Sequence, residues 1–231
     1  MLKPTFAIIF REMEQKFLTN DHPMVRTVFF FTIMWFSLLV SLLIFIPYLF
    51  LLLPVMNRFQ KVYIYFWTSL WARMILRLSG SKIKVQGKEN IPVSPSFAII
   101  SNHQGYMDIP VLMSIFPYPL SFVAKKELLK VPIINFWLLA LDCIMIDRLK
   151  PHSSYRKIAF RIRKKDGNPV ILFPEGTRSK GAEAGKWKMG GLKLVEESGI
   201  SKILVTIDGS YKIWEENRRI RATEVKVSIS K

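Results

Sequence analysis

The chain has 231 residues, half of them hydrophobic, with a mean hydropathy of +0.23, yet its 34 lysines and arginines outnumber 17 acidic residues for a net charge of +17. That pairing is unlike an ordinary soluble globule and points to a surface of anionic lipid, a nucleic acid or a phosphorylated substrate. The single cysteine, Cys143, excludes an intrachain disulfide framework, and no Cys/His group has metal-ligand spacing, so no metal is expected.

Residues 1–26 mix Lys3, Arg11, Glu12, Glu14, Lys16 and Arg26 with Phe6, Ile8, Ile9, Phe10 and Phe17, a pattern expected of a short interfacial helix rather than a signal peptide. From Thr27 to Asn57 no residue is charged. As a helix, residues 28–53 would run roughly 39 Å against a hydrocarbon core of roughly 30 Å, so this segment is expected to enter a membrane. Pro47 and Pro54 interrupt it. Residues 57–78 then set Phe59, Val62, Tyr63, Phe66, Leu70, Met74 and Leu78 at helical spacing, with Arg58, Lys61, Arg73 and Arg77 for headgroups, as in an interfacial amphipathic helix. Two arrangements are open. Either residues 28–46 cross the bilayer, or two helices broken between the prolines wedge into one leaflet, and the wedge is preferred. Residues 1–80 are thus read as an anchoring unit and 81–231 as an α/β domain on the cytoplasmic face of the inner membrane.

Beyond Gly80, strands are predicted at 82–86, 97–101, 120–124, 143–147, 169–173, 203–208 and 225–230, with helices at 109–116, 127–139, 153–165 and 185–198. Strands separated by helix-length segments predict a mixed, largely parallel sheet of about seven strands covered by helices on both faces.

Two stretches carry the chemistry. Asn102-His103-Gln104-Gly105-Tyr106-Met107-Asp108 follows the apolar strand 97–101 and precedes the helix 109–116, with Asp108 read as the helix N-cap and Pro110 in the first turn. A histidine five residues before a carboxylate lets the chain double back, so that Asp108 engages one imidazole nitrogen of His103 and the other faces a substrate as a general base. The same spacing also occurs in loops without chemistry. Downstream, Phe173-Pro174-Glu175-Gly176-Thr177-Arg178-Ser179 closes another apolar strand. Gly176 permits close backbone approach, Thr177 and Ser179 offer hydroxyl donors, and Arg178 can grip a phosphate by two parallel hydrogen bonds. It is not a Walker loop, and no Gly-x-Ser-x-Gly elbow supports a serine acyl-enzyme.

With Ala124-Lys125-Lys126-Glu127-Leu128 and Ile144-Met145-Ile146-Asp147-Arg148 in between, these blocks resemble the glycerolipid acyltransferase family, most closely the 1-acylglycerol-3-phosphate acyltransferases, over roughly residues 82–208. Gly105 stands where that family often has serine, Asp142 and Cys143 where it often has glycine, and Leu204 where proline is usual. The resemblance implies direct transfer of an acyl chain from a thioester, acyl-CoA or acyl carrier protein, to the hydroxyl of lysophosphatidic acid, without a covalent acyl-enzyme and without a cofactor. It implies His103 as base and Asp108 as its partner. The acceptor phosphate would fall to Arg178, helped by Lys125 and Arg148, with Glu175, Gly176 and Thr177 in the acceptor site; Glu175 would bond the glycerol or hold Arg178. Alternatives stay open: Lys126 instead of Lys125, and Arg148 as a mere partner of Asp147.

The basic run Arg148, Lys150, Arg156, Lys157, Arg161, Arg163, Lys164 and Lys165 reads as a docking surface for anionic lipid, an acidic carrier protein or coenzyme A phosphates. A nucleic-acid partner is not expected, because no aromatic-lined or groove-reading element accompanies it. The rival functions are a related acyltransferase acting on glycerol-3-phosphate or another lysophospholipid, and a membrane-tethered basic protein without catalysis. Trp187, Tyr211 and Trp214 are read as core residues.

Overall fold

A computed structural model describes residues 23–44, 47, 57–147, 151–162 and 167–231. The interfacial reading of residues 1–22, the break between Pro47 and Pro54, Arg148, Lys150 and residues 163–166 lie outside them.

Helix α1 (Pro23–Val40) continues as a 3-10 turn to Ile44, and α2 (Asn57–Leu78) follows. Next come β1 (Lys82–Gln86), β2 (Phe97–Ser101), α3 (Asp108–Ile115), β3 (Ser121–Lys125), α4 (Ile134–Ala140), β4 (Ile144–Ile146), α5 (Pro151–Ile162), β5 (Val170–Leu172), α6 (Met189–Glu197), β6 (Ser201–Asp208) and β7 (Glu224–Ser230). Seven strands form one sheet in the order β1-β7-β6-β2-β5-β3-β4. Every pairing is parallel except β6 with β7. All seven predicted strands occur within two residues of their expected bounds.

The sheet is covered unevenly. β2 and β5 are buried along their whole length, as uninterrupted apolar runs require, whereas β6 and β7 alternate exposed and buried residues. Helices therefore cover both faces only around the centre of the sheet, and the β6–β7 end keeps one open face, which corrects the expectation of complete cover. On one face, Ile64, Ala72, Ile75 and Leu76 of α2 and Val111 and Leu112 of α3 pack with Phe97, Ile99, Ile203 and Ile207. On the other, Ile158 of α5 and Val195 of α6 meet Ala98, Ile100, Val170 and Leu172. Each of the larger apolar side chains among them, Val, Leu, Ile or Phe, contributes about 1.5–3 kcal/mol by leaving water. The predicted helix at 127–139 is two pieces, a 3-10 turn Lys126–Lys130 and then α4, because Pro132 intervenes.

Helix α1 is docked on this core as well as apolar. Phe30 is buried in the core cluster, buried Arg26 donates to the carbonyl of Ser79, and the Ile220 amide donates to Thr27 Oγ1 at 2.8 Å. Trp71 and Trp137 donate their indole N–H groups to Ser37 and Ser41 at 3.1 and 2.9 Å. The other face of α1 leaves Val28, Trp35, Phe36 and Leu39 exposed, as the 3-10 turn leaves Leu43, and α2 leaves Phe59, Val62, Phe66 and Leu70 exposed. The stretch Pro23–Ile44, 22 residues at a mean hydropathy of 2.3, is long and apolar enough to cross a membrane.

Candidate active site

Parallel strands bring their carboxyl ends to one edge of the sheet, where connecting loops collect reactive side chains. The loops after β2, β5 and β6 meet there. Asn102 pins the first of them: its amide donates to the Ile207 carbonyl and accepts from the Ile207 N–H, both at 2.8 Å, so the side chain acts as an extra rung beside β6.

His103 Nδ1 lies 2.7 Å from Asp108 Oδ2. The same oxygen accepts the backbone N–H groups of Gln104 at 2.7 Å and Gly105 at 2.9 Å, and Oδ1 accepts the hydroxyl of Ser210. Asp108 is fully buried, and each of its oxygens is engaged. It is the first residue of α3 and not its N-cap; Met107 holds that position, and the carboxylate bonds backward to the loop instead of forward to the helix. The reason is competition: two loop amides and an imidazole together offer more than the helix amides a cap would reach. With Nδ1–H directed at a carboxylate, the imidazole is held in the tautomer whose Nε2 is an open acceptor. The ring of His103 stacks on Phe173, centroids 4.1 Å apart and planes within 16°. The side chain is 17% exposed and Nε2 carries no hydrogen bond among the described residues, an arrangement competent for proton abstraction.

Glu175 joins the two motifs. One of its oxygens accepts the backbone N–H of His103 at 2.9 Å and the other that of Gly185 at 3.0 Å. It does not hold Arg178, one of the two roles expected for it. The chains run on together through Ser179 N–H to the His103 carbonyl at 2.8 Å and Lys180 N–H to the Gln104 carbonyl at 3.0 Å. Gly176 takes a left-handed φ of 68° in the turn between them, a conformation that disfavours any side chain. Thr177 is exposed at the tip, and the Ser179 hydroxyl bonds the Gly181 carbonyl.

Arg178 stands beside this loop, its Cζ 3.5 Å from the centroid of the Tyr106 ring and its Nη1 3.3 Å from Glu215 Oε1. Lys125 ends β3, exposed, two strands from β2 and so roughly 10 Å across the sheet from it. Lys126 pairs with Asp147 at 2.6 Å, which raises the affinity of its ammonium for its proton. Arg148 lies outside the described residues.

The basic run divides. Arg156 and Lys157 are exposed on α5, but Arg161 turns inward with Ile158, paired with Asp142 at 2.6 Å and donating to Ser121 Oγ at 3.2 Å. Arg161 is therefore not part of a docking face. Asp142 itself adopts φ 55°, the left-handed conformation that suits glycine and, next best, Asp or Asn. Trp187 is 44% exposed instead of buried, while Trp214 packs edge-on against Phe31 at 4.8 Å. Ser210 and Glu215 escaped sequence reasoning because they lie beyond both motifs, about a hundred positions after the His103–Asp108 loop they touch. Their only signal was their place just after the predicted strand 203–208.

The family model described as Acyltransferase matches residues 82–208. The chain is 31% identical over 195 residues to the chloroplastic 1-acyl-sn-glycerol-3-phosphate acyltransferase LPAT1 of Arabidopsis thaliana, covering 82% of this chain and 53% of that protein. It is 34% identical over 184 residues to the 1-acyl-sn-glycerol-3-phosphate acyltransferase of Pseudomonas aeruginosa, covering 76% and 68%. A third such protein, from Borreliella burgdorferi, is 31% identical and is spanned over 58% of its length. The chain thus spans little more than half of two of these three relatives. In fold it is similar to the crystal structure of the 1-acyl-sn-glycerophosphate (LPA) acyltransferase PlsC from Thermotoga maritima, with a TM-score of 0.79 at 22% identity over 92% of this chain and 86% of that one.

Proposed function

Because the chain belongs to the acyltransferase family, we propose that it moves a fatty acyl group from an acyl thioester onto the sn-2 hydroxyl of a 1-acylglycerol-3-phosphate, giving phosphatidic acid. The observation that carries this reading is a single one: a histidine whose Nδ1 is fixed by a buried aspartate, tied by backbone hydrogen bonds to a loop whose arginine is a quarter exposed.

In this reading His103 Nε2 takes the proton of the acceptor hydroxyl as its oxygen attacks the thioester carbonyl. The new C–O bond forms, the tetrahedral intermediate collapses with cleavage of the C–S bond, and the departing thiolate recovers the proton from the imidazolium. Asp108 stabilises that imidazolium and keeps the ring in register. General-base help supplies about two to four orders of magnitude, and positioning of two bound substrates supplies much of the remainder. Arg178 holds the acceptor phosphate by charge-assisted hydrogen bonds, with Lys125 and Arg148 as helpers. The donor is acyl-CoA or acyl carrier protein, with no cofactor.

Residues 1–80 anchor the chain and 81–231 carry the chemistry. The exposed apolar faces of α1 and α2 support a membrane site for the protein, with α1 and α2 wedged into one leaflet and the active edge on the cytoplasmic side, in contact with anionic lipid. The deciding experiment incubates purified protein with one long-chain thioester and a panel of acceptors, and identifies products by mass. Phosphatidic acid from lysophosphatidic acid is expected; acylation of glycerol-3-phosphate or a zwitterionic lysolipid in its place would replace the reading.

A further inference from the structure

Glu215 has no part in the chemistry above, yet its surroundings are specialised. It lies beyond β6 with a side chain only 3% exposed. Its Oε1 accepts the backbone N–H of Tyr106 at 2.7 Å and faces Arg178 Nη1 at 3.3 Å. Its Oε2 is buried and has no hydrogen-bond partner among the described residues. Buried acceptors without partners are rare, and one beside a binding residue calls for an explanation.

The neighbouring backbone supplies it. A Cβ added to Gly105 would sit 2.4 Å from Glu215 Oε2, 2.7 Å from Cδ and 2.9 Å from Oε1. The carboxylate therefore occupies the space that any side chain at position 105 would need, including the serine that often stands there in the resembling family. Tyr106, the next residue, gives its N–H to Glu215 and its ring to Arg178. One short stretch thus holds the guanidinium on a face and, through Glu215, along an edge. A guanidinium has five N–H donors and Glu215 takes one, so donors remain for a bidentate ligand.

We infer that Glu215 is a positioning residue for the phosphate clamp, orienting Arg178 toward the acceptor, and that glycine at position 105 is what admits it. The inference rests on the reading of Arg178 as the phosphate ligand. Glu215 touches no reacting atom in this scheme, so its effect belongs to acceptor binding and not to the acyl-transfer step.

The test is a double-mutant cycle on full-length protein, measuring KM separately for lysophosphatidic acid and for the thioester. Because the clash at Gly105 is with the far end of a flexible side chain, Gly105→Ala displaces the carboxylate without forcing the backbone to move. Gly105→Ala and Glu215→Ala each should raise the acceptor KM about tenfold, the loss expected on releasing one partner of a charge-assisted pair, with thioester KM and kcat within about twofold. The double variant should be no worse than Glu215→Ala alone, since the two changes remove the same contact. Glu215→Gln keeps the shape and the Tyr106 hydrogen bond but not the charge, so it carries the test if Glu215→Ala fails to fold, with a smaller rise, again confined to the acceptor, expected. Multiplicative effects in the double variant, or donor and acceptor KM rising in step, would overturn the inference. Arg178→Ala separates the two levels. If it raises the acceptor KM while Glu215→Gln and Gly105→Ala do not, only the role of Glu215 fails; if it leaves the acceptor KM unchanged, the phosphate assignment fails and the inference goes with it.

Discussion

Asp108 and Glu215 are two buried carboxylates flanking the same Gly105, and they are built in opposite ways. Asp108 accepts three donors on one oxygen and a hydroxyl on the other, whereas Glu215 shares one oxygen between an amide and an arginine and leaves the other bare. A saturated carboxylate fixes what it touches; an unsaturated one holds its partner by a single long contact and leaves it room to adjust. The difference follows the tasks proposed for the two halves. Proton abstraction demands an imidazole held within fractions of an ångström, while a clamp on a phosphate needs its charge in place and some latitude for the ligand.

Removing the fixed half should cost most. His103→Ala is expected to lower kcat by about two to four orders of magnitude with the thermal midpoint little changed, as read by product formation and calorimetry. Measurable transfer at a tenth of the wild-type rate would break the distinction between the halves at its root. Asp108→Asn comes next. With its oxygen kept on the Gln104 and Gly105 N–H groups, an amide turns its NH2 toward Ser210 where a carboxylate oxygen accepted, and it lacks the charge that stabilises the imidazolium, so this variant should lose both activity and about 1–3 kcal/mol of stability in denaturant titration. Glu175→Gln is a milder version of the same error, because Gln has one acceptor for the two amides of His103 and Gly185. A fall in kcat of about tenfold with both KM values little altered is expected, and an effect confined to acceptor KM would instead make Glu175 a substrate ligand. In the adjustable half, Arg178→Ala should raise acceptor KM about ten- to a hundredfold while leaving thioester KM alone.

The smallest effect is on pH dependence. Burial pushes the Glu215 carboxyl above its ordinary value of 4.5, and the charge of Asp108 adds to this, while the Tyr106 N–H and Arg178 oppose it. The folded chain thus binds this proton more tightly than the unfolded chain does. Its contribution to stability is full below pH 4.5 and is lost as pH rises through the raised folded-state value. In thermal melts across that window, wild type should gain on Glu215→Gln as pH falls; a constant gap would show that the carboxylate titrates alike in both states.

Much of this fold was legible because its central strands are apolar runs bounded by turn residues, and burial on both faces leaves such runs few other structures. The His103–Asp108 contact was legible too, since five residues suffice for the chain to fold back on itself. What stayed hidden was whatever depended on distant segments meeting. Residues 126–130 give up helix for a 3-10 turn, the end of the sheet at β6 and β7 keeps an open face, and Arg161, read as one of a basic docking row, is claimed by Asp142 from another loop.

The order of apolar runs and the short-range loop therefore belonged to the sequence alone, for they are set by periodicity and by chain reach within a few residues. Which carboxylate serves which partner belonged to the tertiary structure. Glu175 reaches the His103 backbone across 72 positions, Ser210 reaches Asp108 across 102, and Glu215 reaches Tyr106 across 109. Only a parallel sheet that gathers the ends of β2, β5 and β6 at one edge brings those groups within hydrogen-bonding distance, and no local pattern encodes that meeting.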